Sequence, residues 1–323
     1  MKVFVTRRIP EEGLKLLEKE CEEVEVFEHD RIPSKDEIKR GLKGKDGLLC
    51  LLTDRIDRDV ISSNPKLRAI SNYAAGYDNI DVDFATERGI VVTNTPDVLT
   101  EATAELAWAL LLAVSRRIVE GDRFTREGRF RGWSPTLLLG KELSGKTLGV
   151  IGAGRIGTAF ALKARCFGMK VLYYNRSRNE VLESRVGARK VDLESLLRES
   201  DFVSIHLPLT KETHHLIDYR KLCMMKRDAV IINTARGAII KERDLIRALR
   251  ERRIFGAGLD VYENEPEVAE ELKEMENVVL LPHIGSATLE TRTKMSLLAA
   301  ENLVKALRGE VPKYCVNPQV LKE

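Results

Sequence analysis

Three side chains suited to acid–base and anion chemistry each follow a short apolar run in the second half of the chain. Arg236 comes after AVIINTA, Glu265 lies in the ENEP loop after GAGLDV, and His283 follows VVLLP. An imidazole is the side chain best matched to giving or taking a proton near neutral pH. A carboxylate bonded to it fixes the tautomer and favours the imidazolium. A guanidinium offers paired donors to a carboxylate and polarises a neighbouring carbonyl. Together they suit interconversion of a 2-keto acid and its 2-hydroxy acid, in which a proton reaches oxygen as a hydride reaches carbon. Each alone has a structural explanation: a strand-end arginine, a surface carboxylate, a packed histidine. The remaining histidines are set aside for proton transfer: His29 in a loop, His206 inside a buried strand before Pro208, His214 and His215 beside a helix start.

The hydride source is written in Gly152-Ala153-Gly154-Arg155-Ile156-Gly157, a G-x-G-x-x-G between the apolar strand TLGVI and the helical pattern RIGTAFALKARCFG. In this context Gly152 permits the tight turn and Gly154 lets backbone approach a pyrophosphate. Gly157 allows close helix–strand packing, while free amides at the helix start hold phosphate charge. The next strand ends at Tyr174. Asn175 then stands where an NAD enzyme places a carboxylate on the ribose hydroxyls. Arg176 and Arg178 flank Ser177, and guanidinium forks suit the 2′-phosphate of NADP. NADP(H) is therefore the expected cofactor, with NAD(H) the alternative should these arginines be solvated loop charges.

Positioning such groups requires parallel strands, whose carboxyl ends collect ligand-binding residues. Strand-like runs at Val3–Thr6, Val24–Phe27, Gly47–Leu52, Leu67–Ser71 and Ile90–Thr93 alternate with helical patterns at Glu11–Glu20, Lys35–Leu42 and Asp57–Asn64. A second series runs through Leu148–Ile151, Val171–Tyr174, Phe202–Leu207, Ala229–Asn233, Ala257–Val261 and Val278–Leu281. The fold class expected is α/β: two doubly wound parallel-sheet domains, Rossmann-like or flavodoxin-like, with a cleft between them. Long helices at Glu101–Arg117 and Leu289–Arg308 serve as the crossings, and Val311–Glu323 returns to the first domain. The expected division is a discontinuous substrate-binding domain, 1–98 with 286–323, and a dinucleotide-binding domain, 99–285.

Composition narrows the classes of function. The 323 residues hold 43% hydrophobic and 32% charged side chains, a globular balance. Lys and Arg number 53 against 50 Asp and Glu, and the resulting +3 is spread without a polybasic block, which argues against nucleic acid. The longest apolar run, Leu106–Val114, is far shorter than the roughly 20 residues of a membrane span. Five scattered cysteines form no C-x-x-C pair and have no metal-ligand spacing, so a cytoplasmic, metal-free protein is expected.

The segments NYAAGYDNID, NTPDVLTEATAELA, GKTLGVIGAGRIG, DFVSIHLPLT, INTARG, GLDVYENEP and LPHIGSAT, in this order, resemble the D-isomer-specific 2-hydroxyacid dehydrogenase family across nearly the whole chain. Within the family the likeness is greatest to archaeal-type glyoxylate reductases, which also reduce hydroxypyruvate. The resemblance implies that Arg236, Glu265 and His283 are catalytic. It implies that Ala75 and Gly76 hold the substrate carboxylate through backbone amides. Asp260 would face the nicotinamide carboxamide, while Pro208, Thr234, Ala235, Ile284 and Gly285 would line the cofactor. A homodimer joined through the cofactor domain is implied too, with Trp133 in GRFRGWSP reaching into the partner's substrate site. Ala153 stands where many relatives carry Leu, and Asn175 departs further from the NAD pattern. The alternatives are sibling activities on D-3-phosphoglycerate, D-lactate or phosphite, and a nucleotide-sensing corepressor. A formate dehydrogenase would carry Gln in place of Glu265.

Overall fold

The computed structural model describes residues 1–322, which divide into two compact units, 1–99 with 286–322 and 100–285. In the first unit, β1 (Lys2–Val5), α1 (Glu11–Glu20), β2 (Glu23–Val26), α2 (Lys35–Gly41), β3 (Gly47–Leu51), α3 (Arg58–Ser62), β4 (Ala69–Tyr73), α4 (Val82–Glu87) and β5 (Val91–Thr93) alternate. The second unit runs α5 (Thr100–Ser115), α6 (Ile118–Arg126), β6 (Thr147–Ile151), α7 (Arg155–Lys163), β7 (Lys170–Tyr174), α8 (Glu180–Val186), β8 (Arg189–Lys190), α9 (Leu193–Glu199) and β9 (Phe202–Ile205). It continues with α10 (Tyr219–Leu222), β10 (Val230–Asn233), α11 (Glu242–Arg250), β11 (Gly256–Leu259), α12 (Glu270–Lys273) and β12 (Val278–Leu280). Helix α13 (Leu289–Arg308) returns the chain to the first unit.

Every strand pairing in both sheets is parallel. The first unit has order β2-β1-β3-β4-β5 and the second β12-β11-β10-β9-β6-β7-β8. These are the two doubly wound orders, flavodoxin-like and Rossmann-like, so both expected sheet types are present. Central strands covered on both faces are mostly apolar, as in VIIN of β10 and FVSI of β9, where all positions are buried and only Asn233 and Ser204 are polar. Helix starts are set by side-chain caps. Ser34 and Glu37 form a capping box on α2, and Asp57, Asp81, Asn179, Asp192, Asp218 and Thr288 each accept an amide at the start of a helix. On α5, Trp108 stacks against Phe160 and Phe167 at 4.8 and 4.5 Å, and its indole N–H donates to the Phe160 carbonyl at 2.9 Å. That contact ties α5 to α7, the helix that follows the glycine motif.

Some boundaries differ from the sequence expectation. The strand expected over Leu67–Ser71 lies at Ala69–Tyr73, because the Leu67 amide closes a turn on the Asn64 carbonyl and only its side chain enters the core. The helix expected to reach Arg117 stops at Ser115, where Arg117 turns left-handed at φ 52° and α6 begins. The C-terminal segment pairs with β5: Asn317 Oδ1 accepts from the Val92 amide at 2.8 Å, and the Val316 amide donates to the Val92 carbonyl.

Candidate active site

The switch point of the second sheet lies between β6 and β9, where strand order reverses, and the glycine motif follows β6 there. Gly152 adopts φ +95°, and a β-carbon on it would meet the His206 carbonyl carbon at 2.8 Å. On Gly157 a β-carbon would come within 1.9 Å of the Gly152 oxygen, so helix and turn touch through bare backbone. Gly154 faces open space, and no side chain caps the first turn of α7, which opens with Arg155 and Ile156. A cradle shaped this way, with uncapped amides, fits the pyrophosphate of a dinucleotide. At the end of β10 the Thr234 hydroxyl is buried without a hydrogen-bond partner among the described residues, a vacant donor in the same sheet end.

At the far end of β7, Asn175 donates to the Ser177 carbonyl at 3.1 Å. Arg176 and Ser177 are exposed. The sequence places no carboxylate at this strand end, but one arrives from α8: Glu183 accepts from Arg178 at 2.5 Å and from the Tyr173 hydroxyl at 2.6 Å. These two donors, Arg178 first, hold the Glu183 carboxyl below its ordinary range against the opposing effect of burial. Lys190 donates to the Arg176 carbonyl at 2.9 Å, and a cavity of about 660 Å³ lies between Asn175, Arg178, Arg189 and Lys190. Arg189 and Lys190 escaped sequence reasoning because a charged two-residue edge strand has no apolar periodicity to mark it.

The structure brings Glu265 and His283 together: His283 Nδ1 donates to Glu265 Oε2 at 2.8 Å. The other carboxylate oxygen accepts the Tyr262 amide at 3.0 Å. Burial pushes the Glu265 pKa up, but the His283 bond and charge, the Tyr262 amide and the Arg236 charge outweigh it and hold the carboxyl below its usual range. Glu265 is thus a carboxylate at neutral pH, and the imidazole keeps Nε2 for a ligand. His283 sits in the left-handed region at φ 54°, which side-chain-bearing residues rarely occupy. The strain is held by Asp260, whose two carboxylate oxygens accept the amides of Ile284 and Gly285 at 2.7 and 2.8 Å. In the structure, then, Asp260 fixes the backbone beside His283, a contact that sequence reading did not provide. Burial raises the pKa of Asp260, opposed by those two amides and by His283.

Arg236 is held by its strand end. Asn233 Nδ2 donates to the Arg236 carbonyl at 2.9 Å while Asn233 Oδ1 accepts the Ala235 amide at 3.0 Å, and the guanidinium donates to the Ala235 carbonyl. Pro208 is exposed in the loop after β9, its carbonyl accepting from Thr213 at 2.7 Å. In the first unit, the carbonyls of Ala75 and Gly76 accept from Asn94 and Asn72 at 2.7 and 2.8 Å, which fixes that loop. Trp133 follows α6 and is 86% exposed. His206 is neutral: burial pushes it down to about 3. Among the described residues no group of three or more metal-binding side chains comes together, and no helix is long and apolar enough to cross a membrane.

A dinucleotide cradle joined in one sheet to a carboxylate–imidazole pair and an arginine defines a nicotinamide-dependent oxidoreductase. Residues 108–285 match the family model for the NAD binding domain of the D-isomer specific 2-hydroxyacid dehydrogenases, and the chain belongs to that family. It is 52% identical to a glyoxylate reductase of Thermococcus litoralis over 99% of this chain and 98% of that one. The structure is similar to that of a glyoxylate reductase from Paecilomyes thermophila, with a TM-score of 0.86 and 35% identity over 99% of both chains. It is also similar to an NADPH-dependent glyoxylate/hydroxypyruvate reductase from Sinorhizobium meliloti solved with NADP and malonate, with a TM-score of 0.87, 32% identity, and 98% and 96% coverage.

Proposed function

We propose that this chain reduces glyoxylate to glycolate, and hydroxypyruvate to D-glycerate, using NADPH in preference to NADH. The observation that carries the reading is the Glu265–His283 pair at 2.8 Å, on the same sheet as the glycine cradle, in a chain half identical to glyoxylate reductases. When bound, the reduced nicotinamide supplies a hydride. His283 Nε2 gives the proton that the carbonyl oxygen needs as its negative charge develops, and the Glu265 carboxylate stabilises the imidazolium before transfer. Arg236 pairs with the substrate carboxylate and draws charge toward the carbonyl oxygen; the amides of Ala75 and Gly76 in the first unit are donors of the kind a carboxylate accepts.

For the cofactor, Gly152 to Gly157 take the pyrophosphate, and Thr234, Ala235, Asp260, Ile284 and Gly285 border the nicotinamide end, with Pro208 along the path. Asn175, Arg176, Ser177 and Arg178 surround the ribose. Because Arg178 is already engaged by Glu183, Arg176 carries more of the contact with a 2′-phosphate, helped by Lys190. The protein acts as a homodimer in the cytoplasm, where five thiols with no disulfide are at home.

A steady-state assay with glyoxylate, following loss of absorbance of NADPH and NADH in parallel, tests the reading. Faster oxidation of NADPH is the expected result. Equal rates with NADH would remove the 2′-phosphate role of Arg176. No oxidation with glyoxylate or hydroxypyruvate would overturn the activity.

A further inference from the structure

The loop that carries Glu265 also holds one half of a second carboxylate–imidazole pair that the reaction does not use. His215 Nε2 and Glu263 Oε1 are 2.7 Å apart, both partly buried. Glu263 stands two residues before Glu265 on the same loop, and His215 is held at φ 52° in the left-handed region. Backbone bonds fix the place of each. The His215 amide donates to the Ala238 carbonyl at 2.8 Å, and the Ile217 amide to the Ile239 carbonyl at 3.0 Å, tying this segment to the turn that follows Arg236. Glu263 Oε2 accepts the Glu242 amide at 2.9 Å, and Glu242 Oε2 in return accepts the Glu263 amide at 3.2 Å. Gly237 and Tyr262 meet through bare backbone, since a β-carbon on Gly237 would overlap the Tyr262 carbonyl carbon at 1.8 Å.

The geometry points to His215 and Glu263 as positioning residues that lock the loop bearing Glu265 onto the strand end bearing Arg236, so that Glu265 meets His283 in register. A neutral loop contact would have been enough to hold the turn. Here both Glu263 oxygens and the ring nitrogen are committed between three segments, those of His215, Ala238 to Glu242, and Tyr262 to Glu265. The titratable groups facing the pair are Glu242, with Glu271 beyond it, and His214, whose ring lies 3.9 Å from that of His215. Burial favours protonation of Glu263, but the Glu242 amide and His215 outweigh it and hold its carboxyl below the ordinary range.

This inference rests on the proposed reduction for its kinetic readout alone. The test is a nitrogen-resolved NMR titration of the histidine rings in the full chain, for wild type, His215→Ala, His215→Gln and Glu263→Gln, with steady-state kinetics alongside. Losing the register of Glu265 removes a carboxylate from the imidazolium. The His283 midpoint in His215→Ala is therefore expected to fall by about one pH unit, and kcat by about tenfold, with KM for NADPH within twofold. His215→Gln keeps a donor to Glu263 and is expected to recover most of both. Glu263→Gln, which keeps the loop but loses the charge, is expected to fall between them. An unchanged His283 midpoint in a folded His215→Ala overturns the inference, as does a glutamine variant no better than alanine. If wild type reduces neither keto acid, the proposed activity fails while the titration still decides the positioning role.

Discussion

At the scale of single residues, His283 carries the sharpest expectation. His283→Asn retains a donor toward Glu265 but cannot deliver a proton, so kcat should fall by roughly 10²- to 10⁴-fold while cofactor affinity, measured by fluorescence titration, stays near wild type. Unchanged turnover would remove its role in proton transfer. Arg176→Ala should lower the ratio of kcat/KM for NADPH to that for NADH by about 10- to 100-fold, the worth of one charge-assisted hydrogen bond. Arg178→Ala should lower it less, because its guanidinium already serves Glu183. His206 makes a different prediction. Its ring is packed on Phe160 and burial lowers it from 6.5 to about 3, so the unfolded chain binds the extra proton between those values. Stability contributed by the neutral ring is therefore present above pH 6.5 and is lost as pH falls toward 3. Between pH 7 and 5 the loss is about 1–2 kcal/mol, allowing for some solvent contact. Urea titrations of wild type and His206→Gln at both pH values should show the variant losing less.

At the scale of elements, the turn between β6 and α7 separates folding from binding within one motif. Gly157→Ala drives a β-carbon against the Gly152 oxygen and should cost about 1–3 kcal/mol of stability, visible as a lower Tm. Gly154→Ala meets no protein atom within 4 Å, so Tm should hold while dinucleotide affinity falls, since the added methyl occupies the space in front of the amides. Equal Tm losses in both would show that the motif is only a packing device. The long parallel strands were legible beforehand because burial on both faces demands unbroken apolar runs. The strand β8 was not, being two charged residues bonded to β7 alone. Nor was α6, a short helix with no buried residue that begins after the left-handed turn at Arg117.

At the scale of the whole molecule, the segment from α6 to Leu139 leaves Ile118, Val119, Phe130, Trp133 and Leu139 exposed, at 54, 45, 57, 86 and 61%. Apolar side chains gathered on one segment fit a surface that a second copy covers. Light scattering should therefore give twice the mass of one chain. Trp133→Ala should raise KM for glyoxylate with little change in cofactor affinity if the residue enters the partner's substrate site. A monomer in solution would remove both expectations.

Sequence alone determined the α/β class, the strand ends that carry chemistry and the glycine cradle. Each of these is recorded in local periodicity or in a residue type that only one backbone geometry tolerates. What tertiary structure decided is which polar groups meet. Asp260 with the Ile284 and Gly285 amides, and His215 with Glu263, are pairs formed across loops of no periodicity, 24, 25 and 48 residues apart. Their partners are chosen by where parallel strands end side by side, and that neighbourhood exists only once the sheet has been ordered.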